Sequence, residues 1–536
     1  MALIASVLIV VLALSWLLNR LLKIGSRELG LPPGPPTLPI IGNLLDFPKT
    51  AIYLRFTEWA RTYGEIYSLK IGRGTVVVIS SPRMVRELLD KHSAVTSGRQ
   101  SLHFAKIVQD DINVAFLQAT DPTCKGVRRG LQYLLSKEAC AGHLPIQQAE
   151  ASQLMYDLMK QPDAYFNHME RFSFSSMLSA TFGVRCPRTD SKVLQEFSQI
   201  EHDWERLITP GHHPPIDLIP LLRYVPERWA KWKGISRDLE ARFKRLYHGL
   251  VETCENRMER EEHNGSFMEN ILRSGERNES SRRTALAICF AAVEGGSITT
   301  TAFMRTLVCC LATHPDAQKR AHEEIDRVLG SSRMPVLEDI EQMPYIQAII
   351  KEVQRFCPPA PFGLPHLSTA EVTVGEYVIP KNSSIIMNIY GIYHDEEVYE
   401  KPYMFYPDRF LQNEFGTIAG TDDTGRRNDL HFGAGRRICP GILLGTNATT
   451  IAALNFIWGF NVDVKSDPET GNRPSIDTNT FTKTFVISCV EIPADIRPRS
   501  DLHATMIRSQ YSASRETMKN FEHELSPEDV VFVNSW

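Results

Sequence analysis

One cysteine of the chain lies in a loop whose residue types suit metal–thiolate chemistry. Cys439 belongs to residues 432–441, which read FGAGRRICPG. The glycines allow close approaches that a Cβ would block, and Pro440 suits the first turn of a helix, where its missing N–H would have no partner. A helix N-terminus, together with Arg436 and Arg437, favours the thiolate form of Cys439. Such a thiolate suits an axial ligand for haem iron; the alternative is a buried structural cysteine on a turn.

A long apolar segment, residues 284–315, holds a second candidate group. It is rich in glycine and threonine and contains Glu294, which favours a helix through a protein core over a second membrane span. Gly295 and Gly296 stand in mid-helix, where each costs about 1 kcal/mol relative to alanine. We interpret this weak point as a place where a flat ligand approaches the backbone closely.

A third pattern is the pair Glu352 and Arg355, spaced i and i+3 on one helix face. A lone E-x-x-R is common, and its usual role is a surface ion pair that adds little stability. The run Pro-Asp-Arg-Phe at residues 407–410 lies between this pair and the cysteine loop.

Composition excludes some classes of protein. The 536 residues carry a net charge of −4, which argues against nucleic-acid binding. The ten cysteines form no CxxC pair and no zinc-like spacing, and several lie in apolar helical contexts. We therefore expect a reducing compartment and no disulfide framework.

The N-terminus is predicted to hold the protein at a membrane. Residues 2–18 are an uncharged apolar run, at the short end of the roughly 17–25 residues that span a bilayer as a helix. The alternative, a cleaved signal peptide, would need a basic start and a small-residue cleavage site, and neither is visible. Arg20, Lys23 and Arg27 favour a cytosolic location for the chain beyond this run. The proline-rich residues 31–36 then predict a stiff spacer.

The cysteine loop resembles the F-x-x-G-x-R-x-C-x-G signature of the haem-thiolate monooxygenases, the cytochrome P450 family. The fixed positions of that signature are filled by Phe432, Gly435, Arg437, Cys439 and Gly441. The E-x-x-R, the P-D-R-F and the double glycine followed by a threonine match further motifs of the family and occur in its order. The resemblance covers residues 32–499 and implies a mainly α fold with a small β portion, preceded by one N-terminal transmembrane helix.

The resemblance also assigns roles on the distal helix. Thr299 matches the threonine that orders water and stabilises dioxygen in the family, but Ile298 stands where the family carries a proton-relaying acid. Glu294 lies one turn before Ile298 on the same helix face, and we predict that it or a water chain replaces that acid. The alternatives are a structural carboxylate for Glu294 and a surface hydroxyl for Thr299.

Two further residues are predicted to bind the haem propionates. Arg128 matches the arginine of the family's W-x-x-x-R, with Cys124 in place of the tryptophan. His366 stands at a position often held by a propionate-binding His or Arg. The alternatives are a solvated helix charge for Arg128 and a strand-end histidine for His366. Glu352, Arg355 and Arg409 are expected to form the family's buried charge network, which supports the pocket without taking part in the chemistry.

These matches imply four regions: an anchor (1–22), a basic flank with a proline-rich hinge (23–50), a catalytic domain (51–499) and a polar tail of unknown role (500–536). They imply a haem b monooxygenase that uses O₂ and electrons from a separate NADPH-dependent cytochrome reductase, with cytochrome b5 as a further donor. The expected location is the endoplasmic reticulum membrane, single-pass, with the catalytic domain in the cytosol.

The expected substrate is a lipophilic small molecule, and the motif context resembles fungal secondary metabolism on terpenoids, polyketides or alkaloids. Two alternatives stay open. One is a haem-thiolate enzyme that isomerises, dehydrates, desaturates or closes rings without net oxygen insertion, which Ile298 keeps in consideration. The other is a non-catalytic, membrane-anchored haem protein.

Overall fold

The protein is mainly helical, with short strands gathered into small sheets. The computed structural model describes residues 2–209, 214, 216–217, 220–273, 279–330, 333–467 and 471–536. The helices are α1 (Ala2–Leu22), α2 (Ile52–Tyr63), α3 (Pro82–Val85), α4 (Ser93–Thr96), α5 (His103–Val108), α6 (Pro122–Leu134), α7 (Lys137–Lys160), α8 (Tyr165–Phe182), α9 (Lys192–Ile208), α10 (Lys231–Glu259), α11 (Phe267–Arg273), α12 (Glu279–Thr313), α13 (Pro315–Val328), α14 (Pro344–Phe356), α15 (Ile389–Tyr393), α16 (Arg409–Gln412), α17 (Ile442–Gly459), α18 (Asp501–Lys519) and α19 (Pro527–Ser535).

The strands make one four-stranded sheet and two hairpins. They are β1 (Ile66–Ile71), β2 (Gly74–Ile79), β3 (His366–Leu367), β4 (Val372–Val374), β5 (Tyr377–Ile379), β6 (Ser384–Met387), β7 (Phe460–Val464) and β8 (Ala494–Pro498). The larger sheet has the order β1-β2-β6-β3, with β2 and β6 parallel and the other neighbours antiparallel. This sheet brings His366 on β3 beside the N-terminal part of the chain, far from it in sequence.

Helix α12 runs through the core and packs against α6, α8, α10 and α17. Among the described residues, α12 and α17 are long and apolar enough to cross a membrane, but 67% and 72% of their most apolar windows are buried in the protein. Both therefore behave as core helices. By contrast, the apolar side chains of α1 are exposed from Ile4 to Leu22.

The proline-rich segment does not stand clear of the domain as a free spacer would. Ser68 of β1 donates a backbone hydrogen bond to the carbonyl of Pro33 at 2.7 Å, and Arg27 donates to the carbonyl of Pro35 at 2.9 Å. A Cβ at Gly34 would collide with the carbonyl oxygen of Ser68, so only glycine allows this close approach. The chain between anchor and domain is therefore docked along β1.

The last residues are folded onto the domain, which their polar sequence did not indicate. Helix α18 packs against α7, with Tyr511 stacked on Tyr156 at a centroid distance of 4.4 Å. The indole nitrogen of Trp536 donates to Asp157 at 3.0 Å. Buried Arg185 pairs with Glu522 at 2.6 Å. The charges of the tail thus neutralise charges of the domain.

Candidate functional site

The cysteine loop delivers Cys439 just before α17. The backbone N–H of Cys439 donates to the carbonyl of Phe432 at 2.8 Å, closing the loop on itself. Gly435 has φ +59°, and a Cβ there would collide with the carbonyl of Leu89. Its N–H donates to Asp90 at 2.8 Å. The loop is therefore held against the segment before α4 by contacts that require glycine.

The prediction that neighbouring arginines favour the thiolate of Cys439 is wrong for the protein alone. Arg436 is exposed, and Arg437 turns away to donate to the carbonyls of Ser97 at 2.9 Å and Leu117 at 2.7 Å. Burial raises the pKa of the Cys439 thiol. Burial therefore disfavours a free thiolate here, whereas a metal ion bound to a cysteine sulfur displaces the thiol proton. Pro440 also lies outside α17, which begins at Ile442.

Arg437 belongs to a group of cationic side chains in which Arg99 and His366 are buried and Arg128 and Arg437 are half-buried. Arg99 is 5% exposed and donates to the carbonyls of Leu364 at 2.6 Å and Pro365 at 2.7 Å. Its Nε finds no hydrogen-bond partner in the part of the chain that the structure describes. Burial lowers the pKa of Arg99 to about 9, helped by repulsion from Arg437 and Arg128. His366 lies in the same group, since burial and then Arg99 lower its pKa to about 3.

Within the described part of the chain, no acid neutralises this cationic cluster of Arg99, Arg128, Arg437 and His366. None of its arginines lies within 4.0 Å of a described carboxylate. Buried positive charge without a partner is costly, and an anionic group bound beside it would remove that cost. The two propionates of haem b are such groups, so the cluster and the nearby thiol fit this cofactor. Cys124, in place of the family's tryptophan, contacts Arg437 with its sulfur at 3.5 Å.

The distal side of the site is the central stretch of α12. One face of this otherwise buried helix is only partly buried, and it comprises Ala291, Glu294, Gly295, Ile298 and Thr299. Their spacing of i, i+3, i+4, i+7 and i+8 defines a single stripe. Neighbouring side chains leave this stripe only partly covered, and it contains every distal residue that the sequence had singled out except Gly296.

The two glycines of α12 serve different neighbours. A Cβ at Gly295 would meet no atom within 4 Å, whereas one at Gly296 would lie 2.6 Å from the sulfur of Met177 on α8. The predicted close approach of a flat ligand therefore suits Gly295 alone. Gly296 allows α8 to pack against α12.

Glu294 is held by the loop before α6 and by α9. Asn113 donates to its carboxylate at 3.3 Å, and the Trp204 side chain also donates to it. Burial raises the pKa of Glu294 to about 7. The Thr299 hydroxyl donates to the carbonyl of Gly295 at 2.8 Å. Glu294 and Thr299 thus share the stripe without a direct hydrogen bond between them.

The predicted support network is assembled as expected. Arg355 makes two hydrogen bonds to Glu352, at 2.8 and 2.9 Å. The Nε of Arg409 lies 3.1 Å from the same carboxylate but is not aligned for a hydrogen bond. Arg355 also donates to the carbonyls of Tyr393 and Pro402 at 2.7 and 2.9 Å. These groups are almost completely buried, so E-x-x-R here is structural.

Sequence analysis did not identify two residues of the site. Arg99 lies in a segment without hydrophobic periodicity, where one arginine carries no signal. Glu201 on α9 has the Glu294 carboxylate as a close neighbour, yet along the chain it is one of several charges on an amphipathic helix. Both act through partners that are distant in sequence.

Comparison with known proteins agrees with the geometry. The family model described as Cytochrome P450 matches residues 32–484. A cytochrome P450 monooxygenase of Armillaria gallica is 41% identical over 508 residues, which cover 95% of this chain and 97% of that protein. One from Arthrobotrys oligospora is 32% identical, covering 93% and 94%, and yanC of Aspergillus niger is 32% identical, covering 92% and 94%. The chain therefore belongs to the cytochrome P450 family, whose cofactor is a haem-thiolate, and it is a monooxygenase.

Proposed function

We propose that this protein binds haem b with Cys439 as the axial ligand of the iron and with Arg99, Arg128, Arg437 and His366 around the propionates. The observation that carries the proposal is the buried cationic cluster, which lacks an acid of its own among the described residues and lies beside the thiol. Phe432, Gly435 and Gly441 shape the loop that presents the sulfur. A Cβ at Gly441 would lie 3.7 Å from the Cys439 sulfur, so glycine keeps that side of the ligand open.

The proposed reaction inserts one atom of O₂ into a lipophilic small molecule and reduces the other atom to water with two electrons and two protons. The bound haem supplies oxygen activation, and its thiolate ligand favours O–O cleavage. Electrons come from an NADPH-dependent cytochrome reductase, with cytochrome b5 as a further donor.

In this reaction Thr299 and Glu294 handle protons. Glu294 has its pKa raised to about 7 by burial, which suits a group that gains and loses a proton near neutral pH. It shares the α12 stripe with Thr299, whose hydroxyl can hold a water between them. Replacing Glu294 by Gln is expected to lower the fraction of NADPH used for product and to raise peroxide release; unchanged coupling would refute this role.

We also propose a single-pass anchor formed by α1 in the endoplasmic reticulum membrane, with the domain in the cytosol. The exposed apolar side chains of α1 support this, and Arg20 and Lys23 follow at its end. The domain boundaries at 22, 50 and 499 belong to the same proposal. Removing residues 2–22 is expected to shift the protein from the membrane to the soluble fraction of lysed cells.

The proposed physiological setting is fungal secondary metabolism on a terpenoid, polyketide or alkaloid, supported by the fungal origin of the similar monooxygenases. A second candidate is a reaction without net oxygen insertion, because Ile298 replaces the usual acid. Mass spectrometry of the host with and without the enzyme separates them: a product heavier by one oxygen supports insertion, and an equal or hydrogen-depleted formula supports the second candidate.

The cofactor proposal is tested by the carbon monoxide spectrum of the reduced full-length protein. The wild type is expected to show the thiolate-type band. Cys439→Ala is expected to lose that band. Cys140→Ala, which removes a buried thiol of α7, should keep it. A thiolate-type band in Cys439→Ala would refute the ligand assignment.

A further inference from the structure

Two of the clusters formed by the described buried apolar side chains meet along α12. The first cluster contains apolar residues 303–312 of α12, together with side chains of α7, α14 and α17. The second contains apolar residues 285–293 of α12, together with side chains of α9 and α10. The partly covered stripe that includes Glu294 and Thr299 lies between these two stretches of α12. A ligand at the stripe would therefore lie where the two clusters meet.

The helices α9 and α10 form a pair that belongs to the second cluster. They pack against each other, and the chain connects this pair to the rest of the protein at its two outer ends. One end is Ser191, the residue before α9, and the other is Glu259, the last residue of α10. When a packed unit moves relative to the rest of a protein, residues at the ends of its elements act as the hinges.

The C-terminal tail, residues 500–536, belongs to the first cluster. Ile507, Tyr511 and Met518 of α18 are buried among the side chains of that cluster. Tyr511 is stacked on Tyr156 of α7 at a centroid distance of 4.4 Å. Apolar contacts therefore fix the tail to the half of the protein that does not contain the α9–α10 pair.

The start of α9 is held by a carboxylate of this tail. Asp529 of α19 accepts hydrogen bonds from the hydroxyl of Ser191 at 2.8 Å and from Nε of Arg188 at 2.7 Å. Ser191 is fully buried, and the side chain of Asp529 is 9% exposed. The backbone N–H of Arg185 also donates to the carbonyl of Phe521 at 3.0 Å. Hydrogen bonds to a charged group are stronger than neutral ones, so this end of the pair is firmly held.

The end of α10 is held by a second carboxylate of the same tail. Glu524 accepts hydrogen bonds from Arg257 of α10 at 3.2 Å and from Arg260, just beyond α10, at 2.9 Å. Arg257 is fully buried and also pairs with Glu269 at 2.7 Å. The tail thus contacts both outer ends of the α9–α10 pair, while its own apolar side chains pack in the other cluster.

We propose that the tail is a clasp for the α9–α10 pair, with Glu524 and Asp529 as positioning residues that set how readily the pair moves away from α12. The stripe of α12 lies between the two clusters, so a ligand reaches it when the pair is displaced. The tail contacts stabilise the closed position and thereby limit how fast ligands enter and leave. The proposal rests on the proposed function only for the nature of the ligand, a substrate beside the haem.

Weakening the clasp should change the rates of ligand binding without changing the affinity. If a ligand enters and leaves only while the pair is displaced, a less stable closed position raises the displaced population by the same factor in the free and the ligand-bound protein. Association and dissociation then become faster together, and the Kd stays constant. A residue that contacts the ligand would instead change mainly the dissociation rate and with it the Kd.

Stopped-flow mixing of the haem-loaded full-length protein with N-phenylimidazole, which binds haem iron through nitrogen, measures both rates. Glu524→Gln and Asp529→Asn are each expected to raise both rate constants about tenfold, because each removes the charge from hydrogen bonds with buried groups. The Kd should change by less than about twofold. Glu516→Gln is the matched control, since it breaks only an exposed pair with Lys519 inside α18, at 3.4 Å. It should leave both rates unchanged.

Two further measurements separate a clasp from a general contribution to stability. Arg188→Gln combined with Asp529→Asn should be no faster than Asp529→Asn alone, because both substitutions remove the same contact. Backbone amide exchange, which requires no haem, should become faster at the first turn of α9 in Asp529→Asn and at the last turn of α10 in Glu524→Gln. Exchange in α17 should stay as in the wild type.

The outcomes are distinct. Unchanged ligand rates in both tail variants, or a changed Kd without a common change in the two rates, would overturn the clasp. Exchange that becomes faster to the same extent in α9, α10 and α17 would also overturn it, because the tail would then support the fold as a whole. Failure of the proposed function would show separately, as a missing thiolate-type spectrum in the wild type, and amide exchange would still test the clasp.

Discussion

The charged groups around Glu352 are almost completely buried and are neutralised by the protein itself, whereas the sets around Arg99 and Glu201 are not neutralised within the described residues. Glu352 lies between Arg355 and Arg409, with carbonyls taking the remaining donors. Arg99 is largely removed from water and Glu201 only partly, yet neither forms an ion pair among the described residues. A balanced set needs no ligand, whereas an unbalanced one is stabilised only when something else binds.

The two unbalanced sets have opposite signs and lie on different elements of the fold. The cationic cluster is near the cysteine loop, where an anionic cofactor edge fits. The carboxyl groups of Glu201 and Glu294 belong to α9 and α12. The comparison indicates that a buried ionisable group without a partner in the protein is a better sign of a binding residue than its charge alone.

The largest expected effect is at the balanced set. Glu352→Ala leaves two buried guanidiniums without their carboxylate and is expected to lower the free energy of unfolding by about 3–5 kcal/mol. The measurements are the urea midpoint and the haem content of the purified protein. Glu323→Ala breaks only an exposed pair with Lys319 at 3.9 Å and should change stability by less than about 1 kcal/mol. Equal effects of the two substitutions would show that the buried network adds no more stability than an exposed ion pair.

Arg99→Met tests the cationic cluster. Losing a charge-assisted contact to a propionate is expected to speed haem dissociation by about tenfold to a hundredfold. The protein without haem should keep a nearly unchanged urea midpoint, because loss of the carbonyl contacts is offset by relief of repulsion from Arg437 and Arg128. Transfer of haem to an acceptor protein measures the rate. Arg436→Met, at an exposed site of the cysteine loop, is the control; a large loss of apoprotein stability in Arg99→Met would make the residue structural.

The adjacent glycines of α12 test where the core ends and the cavity begins. Gly296→Ala is expected to lower the free energy of unfolding by about 1–3 kcal/mol, because its methyl group meets Met177. Gly295→Ala should instead stabilise the helix by up to about 1 kcal/mol while weakening haem or substrate binding. Thermal unfolding and spectral titration of both variants measure these changes. If Gly295→Ala destabilises the protein, Gly295 packs against the core and does not face the cavity.

A further expected effect is the pH dependence that Glu294 gives to stability. Its pKa rises from an ordinary 4.5 to about 7 in the folded protein, chiefly through burial, while Asn113 and Trp204 donate to it and Glu201 faces it. The folded state then binds more protons than the unfolded state between these values, so stability falls as pH rises through this window. The free energy of unfolding of the wild type minus that of the Glu294→Gln variant should decrease from pH 5 toward about pH 8. A flat difference would show that Glu294 has an ordinary pKa.

Much of the site was readable from short motifs. The spacing around Cys439 and the Glu352–Arg355 pair act locally, within a loop or one helix turn, so the pattern alone indicates their partners. The apolar run around Glu294 likewise indicated a core helix, and the structure has α12 there. Helix geometry repeats at a fixed period, and a glycine-rich loop motif has a fixed spacing, which is why such residues can be identified without a fold.

The amino-acid pattern was sufficient for the family, the cysteine ligand candidate and the helix that faces it. Packing in three dimensions was needed to see that Gly296 serves α8 while Gly295 faces the opening, that Arg99 joins Arg437, that Glu201 meets Glu294, and that the tail closes onto α7. Each of these depends on residues far apart in sequence. Burial and charge balance are properties of a neighbourhood in space, and a linear pattern contains no measure of either.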